Sequence, residues 1–258
     1  MTMLDLAGKT AVVTGAGSGL GEAIARHCVG LGGRTVLADI DEANLERVAG
    51  DLAGQGAELL AVPADVASRS AMEAMADACF ERFDDCDYLF NNAGVVIHKP
   101  LADCSTEDWQ RIIDVNLIGV ANGIAAFVPR MIAAGRGHVV NVASMAGLVP
   151  LDGFGIYVAS KYAVVGLSEV LAAELAPAGV DVTVACPGWI ATAIQNEGGD
   201  VAPAFAPELM RVITADDAAR IILDAVERKC LFAPTHPEWR SAAAQRADRL
   251  LSAFDSGR

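Results

Sequence analysis

Short apolar, β-branched runs alternate along this chain with longer stretches whose apolar residues recur at helical spacing. The first run, Thr10-Ala11-Val12-Val13-Thr14, is apolar throughout, as a strand covered on both faces must be. A glycine-rich turn follows, and then a helical pattern through Ile24, Ala25, Cys28 and Leu31. Further strands are predicted at Arg34–Ala38, Leu59–Val62, Tyr88–Phe90, His138–Val142, Val182–Ala185 and Leu231–Phe232, with helices between them. This alternation predicts an α/β fold: one doubly wound parallel sheet with helices on both faces. Ligands of such sheets sit outside the C-terminal strand ends. Asp39, Asp65, Asn91, Ser144 and Pro187 all fall at predicted strand ends, which places them along one edge. No repeat, linker or low-complexity tract marks a second domain, so residues 1–258 are expected to form one.

Composition narrows the function classes. The apolar fraction of 53% supplies a large core and excludes disorder. A net charge of −14 argues against nucleic acid and anionic membrane as partners. No uninterrupted apolar run reaches the length of a membrane span, and Met1 to Thr10 lacks the basic and apolar regions of a secretion signal. A cytoplasmic location is the expectation. Cys28, Cys79, Cys86, Cys104, Cys186 and Cys230 show no C-x-x-C spacing and read as reduced thiols. His27, His98, His138 and His236 are not clustered, so no metal site is expected.

The turn after the first strand is Gly15-Ala16-Gly17-Ser18-Gly19-Leu20-Gly21. Strand, glycine-rich turn and helix make the setting of a dinucleotide phosphate site, where backbone N–H groups and the helix dipole attract the pyrophosphate. Gly15, Ser18, Gly19, Leu20 and Gly21 are the candidate contacts. The spacing is not G-x-G-x-x-G, and a turn without a ligand is the alternative. Asp39 ends the second strand and suits the adenosine ribose hydroxyls, with Ile40 beside it. Its carboxylate would repel a 2′-phosphate, so NAD is expected over NADP. The alternative is that Asp39 caps the next helix, whose first turn carries Asp41 and Glu42. Tyr157 and Lys161 stand four apart, on one face of a helix. A free phenol, with a pKa of about 10, is a poor base at neutral pH. A cation one turn away favours the phenolate, and such a tyrosine can exchange a proton with an alcohol or ketone oxygen.

Thr14-Gly15-x-x-x-Gly19-x-Gly21, Asn91-Asn92-Ala93-Gly94, Asn116, Ser144, Tyr157-x-x-x-Lys161 and Pro187-Gly188 occur together in the order and spacing of the short-chain dehydrogenase/reductase family, which the chain resembles from Leu6 to Thr192. The resemblance implies a Rossmann-type domain and a catalytic set of Asn116, Ser144, Tyr157 and Lys161. Tyr157 resembles the acid/base, and Lys161 the lysine that binds the nicotinamide ribose and depresses the tyrosine pKa. Ser144 resembles the serine that holds the substrate oxygen. Asn116 resembles the asparagine whose helix distortion holds a relay water. Asp65 and Val66 resemble the pair beside the adenine, and Asn91, Ala93 and Gly94 the groove lining. Pro187, Gly188, Ile190 and Thr192 resemble the segment that orients the carboxamide. Taken singly, Ser144 could be a turn residue, Asn116 could satisfy backbone groups, and Asn91-Asn92-Ala93-Gly94 could be a plain turn.

The expected reaction is interconversion of a secondary alcohol and a ketone. Ser144, Phe154, Tyr157, Trp189 and Ile194 are the candidate pocket, and the scarcity of charge around them points to a neutral, fairly apolar substrate. Phe154 and Trp189 could instead be core. Residues 188–215, rich in Gly, Pro and Ala as far as Leu209, look like a substrate lid. The family analogy implies a homo-oligomer, tetramer or dimer, through the apolar helices around Trp109–Met131 and Tyr157–Leu175. A dinucleotide-binding sensor without catalysis is the other reading; Ser144, Tyr157, Lys161 and Asn116 together argue against it.

Overall fold

A computed structural model describes residues 4–191 and 211–255. Seven strands form one sheet: β1 (Thr10–Thr14), β2 (Arg34–Asp39), β3 (Leu59–Pro63), β4 (Tyr88–Asn91), β5 (Gly137–Val142), β6 (Val180–Cys186) and β7 (Phe232–Pro234). Their order is β3-β2-β1-β4-β5-β6-β7, and every pairing is parallel. The chain reverses its direction of winding between β1 and β4, so a crevice opens there at the C-terminal strand ends. The helices are α1 (Gly19–Gly30), α2 (Glu42–Ala53), α3 (Arg69–Phe83), α4 (Thr106–Ile113), α5 (Gly119–Ala134), α6 (Gly155–Leu175), α7 (Ala215–Glu227) and α8 (Arg240–Asp255).

Two apolar layers cover the sheet, and strand alternation assigns each residue to one of them. Val13, Leu37, Phe90 and Val140 stand in register and face α1, α2 and α7, where Ile24, Leu45, Val48 and Ile222 meet them. Val12, Val36, Leu89 and Val139 face the other way, onto Met72 and Met75 of α3, Phe127 of α5 and Leu171 of α6. All these strand residues are fully buried. Each such side chain contributes roughly 1.5–3 kcal/mol through burial, which is why the apolar runs lack the alternation of a half-exposed strand.

The expectation that nothing is long and apolar enough to span a bilayer is corrected. Among the described residues, Thr106–Ala134 and Gly155–Ala178 both meet that length and hydropathy. Counting uninterrupted runs missed them because Asn116, Ser160 and Lys161 break the runs without much lowering the mean. In the fold they pack with α3 over β4, β5 and β6.

Candidate active site

The glycine turn is shaped by two neighbours. Gly15 (φ +66°) and Gly19 (φ +54°) adopt the left-handed backbone that side chains disfavour. At Gly21 a Cβ would stand 1.9 Å from the Gly15 carbonyl oxygen and 2.5 Å from Asn92 Nδ2. Asn92 Nδ2 donates to Thr14 O at 2.9 Å, and the Asn92 and Ala93 N–H groups donate to Thr14 Oγ1 at 3.0 and 3.1 Å. Thr14 and Asn92 thus lock the ends of β1 and β4 together under the turn. The sequence reading had given the site to Asn91 instead. The Asn91 side chain turns into the helix layer, where Nδ2 donates to Asn141 Oδ1 at 2.9 Å and Asn141 donates to Ser168 Oγ at 3.0 Å. Its amide therefore does not line the groove.

Ser18 is the N-cap of α1 but makes no side-chain cap bond, unlike Asp41, Ser68 and Ser105 on α2, α3 and α4. That leaves an uncapped helix N-terminus, with Leu20 in its first turn, facing the crevice. Asp39 is not a helix cap, because Asp41 caps α2. Asp39 Oδ2 accepts the Gly17 N–H at 2.8 Å and Oδ1 the Asp41 N–H at 2.9 Å. Its carboxylate is thereby fixed beside the glycine turn, with Ile40 exposed next to it. One cation reaches this corner from α2: Arg47 Nη2 donates to Gly17 O at 2.9 Å. Its charge is met by Glu22 at 2.8 Å, and the Arg47 hydrogen bond holds the Glu22 carboxyl below its usual range.

Asp65 is exposed after β3, with its carboxylate accepting the Ala67 N–H, and Val66 is buried against Gly119. Ala93 and Gly94 follow β4 at the switch point. A Cβ on Gly94 would meet Asn116 Oδ1 at 3.3 Å and Lys161 Nζ at 3.4 Å, so the groove floor passes directly over both. The Ile190 side chain is buried with Ile213 and Ala218, against Leu20. Thr192, Ile194 and residues 192–210 of the expected lid lie outside the described residues.

Asn116 occupies a π turn, Asp114–Ile118, between α4 and α5, and is fully buried. Its Oδ1 accepts the Val95 N–H at 2.8 Å; its Nδ2 donates to Val95 O at 2.9 Å and to Ser160 Oγ at 3.0 Å. Ser160 Oγ donates in turn to Tyr157 O at 2.8 Å. The helix distortion is therefore present, and what the side chain does is tie the loop after β4 to the start of α6.

The catalytic candidates converge. Ser144 follows β5, and Tyr157 and Lys161 sit on the first two turns of α6. Ser144 Oγ donates to Pro187 O at 3.3 Å and accepts the Ala146 N–H at 3.1 Å, near enough to the Tyr157 phenol to act on its pKa. Lys161 is 4% exposed; its Nζ donates to Val142 O at 2.9 Å and lies 5.7 Å from the Tyr157 ring centre. The expected depression of the phenol is not what the chain's own groups produce. Burial pushes Tyr157 above its ordinary value, and the Ser144 hydrogen bond pulls the other way. Burial also brings Lys161 down to about 8. The Lys161 ammonium is turned to a carbonyl, 5.7 Å from the ring centre, and does not offset the desolvation of the phenol.

Phe154 and Trp189 border the same point, with Phe154 ring centres 6.5 Å from Tyr157 and 6.0 Å from Trp189. His98, which the sequence pattern does not assign to the pocket, packs on Phe154 at 4.5 Å. Thr235 and His236, after β7, hold the Gly188 N–H and were likewise missed. The residues present fit a dinucleotide: a turn whose close backbone contacts exclude side chains, an uncapped helix end, and a fixed carboxylate at the end of β2.

A sequence profile described as short chain dehydrogenase matches residues 9–201. The chain is 34% identical over 233 residues to a 1-deoxy-11-beta-hydroxypentalenate dehydrogenase of Streptomyces exfoliatus, covering 86% of this chain and 81% of that one. Among solved structures it is similar to a short chain dehydrogenase/reductase from Burkholderia phymatum in complex with NAD, with 35% identity, 97% of each chain covered and a TM-score of 0.89. It is also similar to a 3-ketoacyl-(acyl-carrier-protein) reductase from Brucella melitensis complexed with NADH, at 32% identity, 89% and 96% coverage and a TM-score of 0.80.

Proposed function

The chain belongs to the short-chain dehydrogenase family of oxidoreductases, and from that premise we propose that it interconverts a secondary alcohol and a ketone by NAD-dependent hydride transfer, in the cytoplasm, with Tyr157 as general acid/base. The observation that carries the reading is the convergence of Ser144, Tyr157 and Lys161 beside the crevice at which the glycine turn opens. When bound, the nicotinamide supplies the hydride acceptor or donor. In oxidation, Ser144 Oγ orients the alcohol oxygen and Tyr157, reacting as the phenolate, takes its proton. Lys161 holds positive charge beside that phenolate. In reduction, Tyr157 returns the proton to the ketone oxygen. Phe154 and Trp189 favour a neutral, fairly apolar substrate. Steady-state turnover over a panel of secondary alcohols tests this; a small charged hydroxy acid outpacing aryl and alkyl carbinols would defeat it.

NAD preference rests on Asp39, whose fixed charge would lie against a 2′-phosphate, while Glu22 neutralises the nearby Arg47. Two structural neighbours solved with NAD or NADH suit this. Asp39→Asn keeps the shape and removes the charge. The ratio of kcat/KM for NAD⁺ over NADP⁺ is expected to fall about tenfold or more, as like-charge repulsion worth at least ~1.4 kcal/mol is lost. An unchanged ratio would show that selectivity lies elsewhere.

A second copy of this chain is the partner we assign to the apolar groove between α5 and α6, lined by Ala121, Ile124, Ala125, Gly166, Leu167 and the exposed Val170. Apolar surface of this kind on two packed helices suits a self-complementary contact. Sedimentation should show a dimer or tetramer, and Val170→Glu should shift it toward monomer. A monomeric wild-type protein contradicts the assignment.

A further inference from the structure

One peptide unit joins the catalytic serine to a histidine beyond the last strand. Its carbonyl, Pro187 O, accepts the Ser144 hydroxyl at 3.3 Å and the Met145 N–H at 2.8 Å. Its N–H, on Gly188, donates to His236 Nδ1 at 3.1 Å and to Thr235 Oγ1 at 3.2 Å. The peptide is planar, so its two ends turn together. Sheet register puts His236 there: Cys186 pairs with Pro234, and the Thr235 N–H reaches Cys186 O at 3.3 Å.

The imidazole is 1% exposed and its tautomer is fixed by its partners. Nε2 lies 3.0 Å from the Arg211 carbonyl, an oxygen that only accepts, so Nε2 carries the proton. Nδ1 is then a lone-pair acceptor, which matches the Gly188 N–H and the Thr235 hydroxyl 2.7 Å away. A Cβ on Gly188 would stand 2.7 Å from the ring, so the imidazole rests directly on this backbone.

The geometry points to His236 as a positioning residue of the hydride-transfer site: as the neutral Nε2–H imidazole it holds the Pro187–Gly188 peptide plane, and through Pro187 O it sets the direction of the Ser144 hydroxyl. The inference rests on the dehydrogenase reading for its consequence, and on the hydrogen bonds alone for its structure. Without the acceptor at Nδ1, the Gly188 N–H keeps only the Thr235 hydroxyl and the plane is held less firmly. Ser144 then presents its oxygen to Tyr157 and substrate in more than one orientation, which lowers kcat more than it raises KM.

Two variants separate this from plain packing. In His236→Asn the amide oxygen falls near the Nδ1 position and keeps an acceptor for Gly188. In His236→Gln the longer amide reaches the Nε2 position, keeps a donor for Arg211 and leaves Gly188 with Thr235 Oγ1 alone. The kcat of the Gln variant is expected to fall about tenfold or more with KM changed little, and that of the Asn variant to stay within about threefold of wild type. Amide hydrogen exchange at Met145 and Gly188, measured without substrate, should quicken about tenfold in the Gln variant alone. Wild-type kcat and exchange in the Gln variant, or an Asn variant no better than the Gln variant, would overturn the proposal. A wild-type protein that transfers no hydride defeats the dehydrogenase reading by itself, and the exchange rates still decide whether His236 holds the peptide.

Discussion

Replacing Tyr157 with phenylalanine is expected to lower kcat about 10³-fold or more while NADH binds nearly as tightly as to the wild type. General acid/base groups contribute roughly 10²–10⁴ in rate, and among the described residues no other group stands where this phenol does. Ser144 Oγ is already committed to the Ala146 N–H and to Pro187 O. Lys161 points its ammonium at Val142 O. Losing one hydroxyl leaves the ring's edge contact with Phe154 in place, so the pocket should keep its shape. Steady-state kinetics and NADH titration of the variant check both halves. A variant that still turns over at a tenth of the wild-type rate, or that no longer binds NADH, would remove Tyr157 from its role.

Lys161→Met is expected to be inactive for the opposite structural reason and more stable than the wild type. Burial lowers the lysine from 10.5 to about 8. A base with a depressed folded pKa binds its proton less readily when folded, so the charge costs stability wherever the unfolded lysine is protonated. The full cost, about 3 kcal/mol, applies below about 8 and fades as pH rises toward the unfolded value. Methionine removes that cost but leaves Val142 O without its donor, a loss of about 1–2 kcal/mol. A net gain of about 1–2 kcal/mol at pH 7 should appear in urea unfolding at equal protomer concentration, together with a kcat lowered about 10²-fold or more by the missing charge. A destabilised variant would show that the Val142 hydrogen bond outweighs the desolvation.

Both predictions follow from a pair visible in the sequence, yet its electrostatics were not. Four-residue spacing put Tyr157 and Lys161 on one helix face, and a nearby cation was expected to depress the phenol. The sequence carries no information on desolvation, and burial decides the sign for both groups. The strands were legible because complete burial on two faces leaves apolar runs with no alternation, and their ends marked Asp39, Ser144 and Pro187. Asn91 ends its strand at the crevice, but the pleat turns its side chain away. It shares a face with Leu89, which is turned to the helix layer, while its neighbour Asn92 leaves the strand and reaches the glycine turn. The alternative that Asn116 satisfies backbone groups and the implied helix distortion are both seen, in one residue. His236 escaped notice because its partners are backbone atoms of segments far apart in the chain, brought together only by the β6–β7 pairing.

The dehydrogenase reading is tested most directly by NADH formation from NAD⁺, with NADP⁺ alongside, over secondary alcohols from small aliphatic to bulky aryl carbinols, using wild type and Tyr157→Phe. NADH formation by the wild type, faster than NADPH formation, favouring neutral apolar carbinols and absent in the variant, is the predicted result. Tight NADH binding with no turnover of any alcohol or of the matching ketones would contradict it and leave a dinucleotide-binding protein without dehydrogenase chemistry.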